Sequence, residues 1–328
     1  ARADCECGYS VNSTTDARHA VFTNLHETDF LHISDLEDDI GWQRQEYNVT
    51  QEESRGPFGK AARVDNVLAN PLLNEWDWAG DSVGGGDAGL QLWVRERTTD
   101  GMIEMGEIVA EPTDVRFGSF RVGMKVTGVP GTCGAFFWFR NDSQEIDMEF
   151  LSRQLNESSS PVNLVLQSPD SVAAGYDASD TPTFSLYPLD FRPDELFHEY
   201  RFDWLDGIVS FYADGVWLQD MTVATPDSPG YLVLNHWSNG DPGWSGGPPE
   251  RDALLTVSYV KYYFNTTGDE GDQGDGCGGD ADEVAEKVCR IPDQTVAPDP
   301  SGPDGNETAR TYFFSMREDM TPGQKHYG

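Results

Sequence analysis

Ser143-Gln144-Glu145-Ile146-Asp147-Met148-Glu149-Phe150 carries a carboxylate at every second position, with apolar residues in the gaps. On a β-strand, side chains at i, i+2 and i+4 share one face and succeed one another by roughly 6.6–7 Å. Glu145, Asp147 and Glu149 are therefore expected on one face, and Ile146, Met148 and Phe150 on the other. The strand has its back in a core and its acids toward water. A plain solvated sheet surface is the competing reading, but such faces tend to intersperse Thr, Lys or Arg, because like charges repel across strands. Three acids with no cation among them point to a site.

Just upstream, Gly134-Ala135-Phe136-Phe137-Trp138-Phe139-Arg140 brings flat apolar rings beside the acids. Rings and carboxylates together suit a sugar polymer, since pyranose C–H faces stack on rings and the glycosidic bond needs acids. Retaining cleavage uses two carboxyl groups about 5–5.5 Å apart, one attacking the anomeric carbon and one protonating the leaving oxygen. Glu145 and Glu149 lie about 13 Å apart at Cα by strand rise, so their side chains must converge. Asp147 between them can position the nucleophile and raise the acid's pKa. Mutual repulsion is expected to keep Glu149 protonated beside an ionised Glu145.

The same period of two recurs along the chain. Leu90, Leu92 and Val94 alternate with more polar neighbours, Phe120, Val122, Met124 and Val126 repeat the pattern, and Tyr200, Phe202 and Trp204 follow. Ile208–Tyr212 runs through Asp214-Gly215, a hairpin signal, into Val216-Trp217-Leu218. With 34 glycines and 19 prolines in 328 residues, many short strands joined by turns are expected: an all-β fold, a sandwich or barrel. Residues 1–60 are polar and turn-rich and read as edge strand and loop covering. Residues 1–265 form the catalytic-size domain, 266–280 an acidic Gly/Asp-rich linker, and 281–328 a C-terminal extension. Ala281, Val284, Ala285 and Val288 predict a short amphipathic helix with Asp280 as N-cap. Tyr312-Phe313-Phe314 is expected to pack on a neighbouring surface.

The formal net charge of −35 disfavours nucleic acid and anionic membranes as partners. The chain has no apolar run long enough to span a bilayer and starts like a mature secreted protein. Six N-x-S/T sequons, at Asn12, Asn48, Asn141, Asn156, Asn265 and Asn306, point to a secreted glycoprotein, extracellular or associated with a cell wall. Of five cysteines, Cys5 and Cys7 are too close for an easy mutual bridge, so each is expected to reach Cys277 or Cys289 and tie the termini together. Cys133 then remains a buried free thiol. A metal site on the terminal four cysteines lacks a zinc-like spacing.

The chain resembles glycoside hydrolase family 16, whose E-x-D-x-E signature Glu145-Ile146-Asp147-Met148-Glu149 matches. Phe117–Val122 is similar to the strand before the family's aromatic segment. Phe197-His198-Glu199-Tyr200 with Trp204, and Phe211-Tyr212-Ala213-Asp214-Gly215, look like its F-H-x-Y-x-x-x-W and W-Y-x-D-G blocks. Leu234–Gly240 looks like the N-x-W-x-G stretch that lines its cleft. The resemblance spans about residues 85–264 and implies a concanavalin-like β-sandwich, a jelly roll, with a substrate cleft across its concave sheet. It implies Glu145 as nucleophile, Asp147 as assisting acid and Glu149 as general acid/base. Trp138, Asn163, Asn235, Trp237 and Trp244 are the candidate sugar contacts, with a core ring the alternative for each Trp, above all Trp204 and Trp217. His198 and His236 read as structural.

The strand Val257–Tyr262 lacks the aspartate through which the family holds a structural calcium, so neither metal nor cofactor is expected. Met148 alone between Asp147 and Glu149 resembles the regular-strand branch, which contains mixed-linkage glucanases, xyloglucan transglycosylases and fungal chitin-glucan transglycosylases. The expectation is a monomeric, secreted fungal endo-β-glucanase cutting β-1,3/1,4- or β-1,3-glucan with retention. A cell-wall transglycosylase and a non-catalytic lectin-like module are the alternatives.

Overall fold

The alternation around Glu145 does form a strand, and its neighbours build one of two stacked sheets. The computed structural model describes residues 7–156 and 160–268, with Cys5, Cys277, 285–296, 299–301, Gly305, Phe313 and 325–327. Strands are numbered in chain order among these residues. The acid-bearing sheet runs β14 (Phe184–Pro188), β13 (Pro161–Gln167), β12 (Gln144–Leu151), β11 (Cys133–Asn141), β18 (Tyr231–Trp237), β9 (Met102–Ala110), β5 (Gly59–Ala62), β4 (Tyr47–Val49), and β3 (Trp42–Arg44) and β8 (Thr98–Thr99) also pair with β9. The opposing sheet runs β17 (Val216–Met221), β16 (Ile208–Ala213), β15 (His198–Leu205), β10 (Val115–Lys125), β19 (Ala253–Thr266), β2 (Asn24–Asp29), β21 (Lys325–Tyr327). There β7 (Gly89–Val94) pairs with β19 and β6 (Val67–Asn70) with β7, while β1 (Gly8–Ser10) pairs separately with β20 (Val288–Arg290).

The core lies between the sheets. Ile146, Met148 and Phe150 of β12 are buried there, as their spacing predicts. Phe150 meets Tyr200 at 4.6 Å between ring centroids, Phe136 meets Phe202 at 5.2 Å, and Trp138 meets Trp204 at 4.5 Å. These pairs join β11 and β12 to β15 across the sandwich and hold the acid-bearing sheet at a set height above its partner.

One irregularity decides which rings face the acids. Asn141 pairs with Gln144, but the next pair is Phe139 with Glu145, so Arg140 is an extra residue in β11. Had the first register continued, Trp138 would stand opposite Asp147 and Phe136 opposite Glu149. The bulge moves the whole of β11 by one residue and exchanges its faces. Phe137 and Phe139 come onto the acid face, and Trp138 and Phe136 go into the core.

The terminal segments are joined as the cysteine spacing suggests: Cys5 bonds Cys289, Cys7 bonds Cys277, and Cys133 is free and buried. Ile291 is buried with Tyr9, Phe22 and Tyr263. Arg121 Nη1 donates to Pro292 O at 2.7 Å and Arg201 Nη1 to Asp293 Oδ1 at 2.6 Å, so the extension covers charges on the outer face of the opposing sheet. Phe313 is buried 5.6 Å from the Tyr259 ring and 5.7 Å from Trp78, while Tyr312 and Phe314 lie outside the described residues.

Three expectations need correction. Val288 belongs to β20, because the chain there pairs in parallel with β1, while Ala285 is helical as expected; Asp280, Ala281 and Val284 lie outside the described residues. Residues 1–60 are more than a covering, since β2 sits inside a sheet, hydrogen-bonded to β19 and β21. Trp217 is 52% exposed rather than core, its Nε1 donating to Asp220 Oδ1, because β17 is an edge strand with a register shift against β16.

Candidate active site

Across the sheet, residues directly opposite one another share a face, so the register gives the layout of the site. Tyr231, Phe139, Glu145 and Gln167 form one row, and Val233, Phe137, Asp147 and Val165 the next. Asn235, Ala135, Glu149 and Asn163 form the third, and Trp237, Cys133 and Leu151 a fourth. Ala135 is the smallest side chain available beside Glu149 that still has a Cβ, and it leaves the carboxyl open to groups reaching in from the loops.

The three acids stand together, as the alternation requires, yet in unlike surroundings. Asp147 is buried and Glu145 and Glu149 half-buried. Asp147 shares a hydrogen bond with Glu145, and its other oxygen, Oδ2, is buried with no hydrogen-bond partner. Burial, followed by the charges of Glu145 and Glu149, pushes the Asp147 carboxyl well above its ordinary range. Glu145 is pushed up to about 7, first by burial, against the hydrogen bond from Asp147. Glu149 is raised by burial too, but hydrogen bonds from Cys133 and Trp244 pull it back, as do the charges of Lys60 and Arg55. The expected repulsion acts on Glu145 and Asp147, whereas what raises Glu149 is burial. The most strongly proton-retaining member is Asp147, which donates to Glu145.

Several groups here had no sequence signal. The Cys133 thiol donates to Glu149 Oε1 at 3.3 Å. Lys60 places Nζ 4.5 Å above the Trp237 ring, and burial lowers its pKa. Glu107, buried on β9, accepts from Tyr47 Oη at 2.9 Å and from Asn235 Nδ2 at 3.1 Å, and burial raises its pKa. Period-two counting from Glu149 cannot find any of these, because each arrives from a different strand or loop.

Of the five candidate sugar contacts, Trp237 and Trp244 lie half-buried at the site. Trp244 is carried by a loop after β18, where Arg153 Nε donates to Trp244 O at 2.6 Å and Asn239 Oδ1 accepts from Ser245 Oγ at 2.8 Å. Asn235 and Asn163 flank Glu149 but are buried; Asn163 Nδ2 donates to Glu149 O at 3.1 Å and to Gln154 Oε1 at 2.9 Å. The Oδ1 atoms of both asparagines are buried without a hydrogen-bond partner. Trp138 is not at the site: it is fully buried in the core, its Nε1 donating to Val115 O at 3.1 Å, because of the bulge at Arg140. Phe137, Phe139 and Tyr231 supply rings on the acid face instead, Phe139 and Tyr231 lying edge to face at 5.8 Å.

His236 is structural: it is buried between Leu92 O at 2.9 Å and Thr132 Oγ1 at 2.9 Å, and burial lowers its pKa to about 4. His198 pairs with Asp214 Oδ2 at 2.7 Å. Among the described residues, no group of three or more His, Cys, Asp or Glu side chains is arranged to hold a metal ion.

Residues 73–261 match the family model of glycosyl hydrolases family 16. The chain belongs to that family. It is 28% identical over 236 residues to the Beta-glucanase of Paenibacillus polymyxa, covering 63% of this chain and 92% of that protein. It is also 28% identical over 158 residues to the Beta-glucanase of Paenibacillus macerans, covering 45% of this chain and 60% of that one. The fold superposes on a prokaryotic beta-1,3-1,4-glucanase (lichenase) from a mouse hindgut metagenome with a TM-score of 0.55 at 19% identity, covering 73% of this chain and 99% of that one. This family member is thus a jelly-roll β-sandwich and a glycoside hydrolase.

Proposed function

We propose that this family 16 chain is a secreted, retaining endo-β-glucanase acting on β-1,3/1,4- or β-1,3-glucan, with Glu145 as nucleophile and Glu149 as general acid/base. The observation that carries the reading is the single row of Glu145, Asp147 and Glu149 on one face, each with a different set of partners. Such differentiation gives two carboxyls unequal tasks. The choice of β-glucan rests on the names of the curated relatives, both Beta-glucanases.

Glu145, ionised, attacks the anomeric carbon while Glu149 protonates the leaving oxygen; Glu149 then takes a proton from the water that releases the glycosyl-enzyme. Asp147, keeping its proton, donates to Glu145 and fixes its orientation. As Glu145 loses charge to the anomeric carbon that hydrogen bond weakens, so Asp147 helps most when the nucleophile departs again. Trp237, Trp244, Phe137, Phe139 and Tyr231 supply apolar faces for successive sugar rings.

Secretion is supported by the two disulfides and by exposure of Asn48, Asn141 and Asn156. Asn12 and Asn265 are half-buried, Asn265 with its amide donating to Val21 O at 3.0 Å, and Asn306 lies outside the described residues. No helix among the described residues is long and apolar enough to cross a membrane. We read the working unit as a monomer.

Digestion of lichenan and laminarin, with the anomer formed at early times read by NMR and labelled chito-oligosaccharide present as acceptor, tests the function. β-Anomeric reducing ends are expected first, and Glu145→Gln should stop turnover while retaining glucan binding. Labelled hybrid polymer with little reducing sugar would reassign the chain to transglycosylation. Unaltered behaviour of Glu145→Gln would leave only a binding module.

A further inference from the structure

Two short helices flank the site, and a residue with a Cβ takes up a left-handed backbone at or just beyond the end of each. Helix α1 (Gln51–Ser54), between β4 and β5, begins in a Thr50–Glu53 capping box and stops at Arg55, whose φ is 61°. Helix α2 (Pro169–Ala173), following β13, is capped by Ser168, and its chain then turns at Tyr176 with φ 70°. The left-handed region is unfavourable for residues with a Cβ, and it persists where surrounding contacts hold it. Here the contact is mutual: Arg55 Cζ lies 4.0 Å from the centre of the Tyr176 ring, and Tyr176 Oη donates to Asp142 Oδ2 at 3.1 Å.

The strands behind these loops are far apart. Four strands, β12, β11, β18 and β9, separate β13 from β5 in the sheet, a span of roughly 24 Å at the usual strand spacing. The loops therefore meet only by reaching over the face that carries the acids. The Arg55 charge acts on Glu145, on Glu149 and on Lys60, so the guanidinium is within electrostatic reach of the acids. The base of α1 is anchored, Asn239 Nδ2 donating to Ser54 O at 2.7 Å and Phe58 N to Asn239 O at 2.9 Å. Only the Arg55 and Tyr176 side chains need move for the bridge to part.

Resting on the endo-β-glucanase reading, we propose that Arg55 and Tyr176 form a clasp across the cleft that determines which glucans gain access. A short linear oligosaccharide has a free end and threads beneath the clasp. An interior stretch of a long chain has no end within reach, so it enters from the side and the clasp must open. The Arg55–Tyr176 contact thus discriminates against polymer relative to oligosaccharide, although the acids beneath it treat both alike.

The test is the ratio of kcat/KM on a long unbranched β-glucan to that on a short oligosaccharide of the same linkage. A ratio is independent of the folded fraction, so a poorly folding variant still reports. Tyr176→Ala is expected to raise the ratio about two- to fivefold, the range an exposed cation–π contact supports. Tyr176→Phe keeps the ring under Arg55 and should stay near wild type. Arg55→Ala should raise the ratio as Tyr176→Ala does, while its absolute rates also move because its charge faces Glu145 and Glu149. Active enzyme with an unchanged ratio in both alanine variants overturns the clasp alone. A wild-type chain that cleaves neither substrate overturns the glucanase reading and the clasp with it.

Discussion

Removing the thiol from Cys133 should move the alkaline limb of the activity profile upward. Cys133 Sγ, itself buried between Trp237 and Leu151, lies 3.3 Å from Glu149 Oε1. Hydrogen bonds to charged groups contribute about 1.5–3 kcal/mol, and a thiol, being a weak donor, belongs at or just below the lower end. About 1.4 kcal/mol is one pKa unit. The bond favours ionised Glu149, as do those from Trp244 and the charges of Lys60 and Arg55, while Glu145 and Asp147 face it from its own strand. Cys133→Ala therefore raises the Glu149 pKa by about one unit. A general acid must be protonated in the free enzyme, so the limb of kcat/KM on the alkaline side follows it to higher pH. The three carboxyls titrate as a set, so the meaningful quantity is the displacement between variants at equal ionic strength. Cys133→Ser restores a donor and should return the limb most of the way. An alkaline limb in Cys133→Ala that coincides with wild type, or moves to lower pH, refutes the reasoning.

Four further outcomes are expected. Glu149→Gln should lower kcat/KM on glucan by about 10²–10⁴, the range of a general acid, with the smallest loss on substrates bearing activated leaving groups. Glu145 is raised from 4.5 to about 7, so its contribution to stability is present below its unfolded pKa and is lost as pH rises through 7. Urea melts of Glu145→Gln at pH 5 and pH 8 should accordingly show a pH-dependent loss smaller than wild type by about 1–3 kcal/mol. Replacing Cys5 and Cys289 together by Ser removes a link across 284 residues and should cost about 2–5 kcal/mol in calorimetry under oxidising conditions, leaving the acid row intact. Trp138→Ala should cost about 3–5 kcal/mol of stability, whereas Trp237→Ala should mainly raise KM; a raised KM without loss of stability in Trp138→Ala would contradict its place in the core.

Much of the fold was legible because strand periodicity is local. Ile146, Met148 and Phe150 are buried as their spacing requires, and the Asp214-Gly215 turn joins β16 to β17 with both residues at positive φ. The cysteine spacing left two pairings open, and the parallel contact of β1 with β20, which sets Tyr9 beside Cys289, accompanies Cys5–Cys289. The expected helix does not extend to Val288: Ala285 is helical, but at Val288 helical spacing carries less weight than a strand partner from the other end of the chain. Trp217 failed for a related reason: alternation says that a strand has two faces but not whether a neighbour covers either one.

The acid row itself was determined by the sequence alone, since i, i+2 and i+4 on any strand share a face whatever surrounds it. What faced that row was decided only by the tertiary structure. One extra residue at Arg140 exchanged Trp138 for Phe137 and Phe139, because a shift of one position turns every side chain of a strand to its other side. Cys133, Lys60, Trp244 and Arg55 reach Glu149 from two strands and two loops. Their common position depends on the order in which the sheet was assembled, which no local pattern encodes.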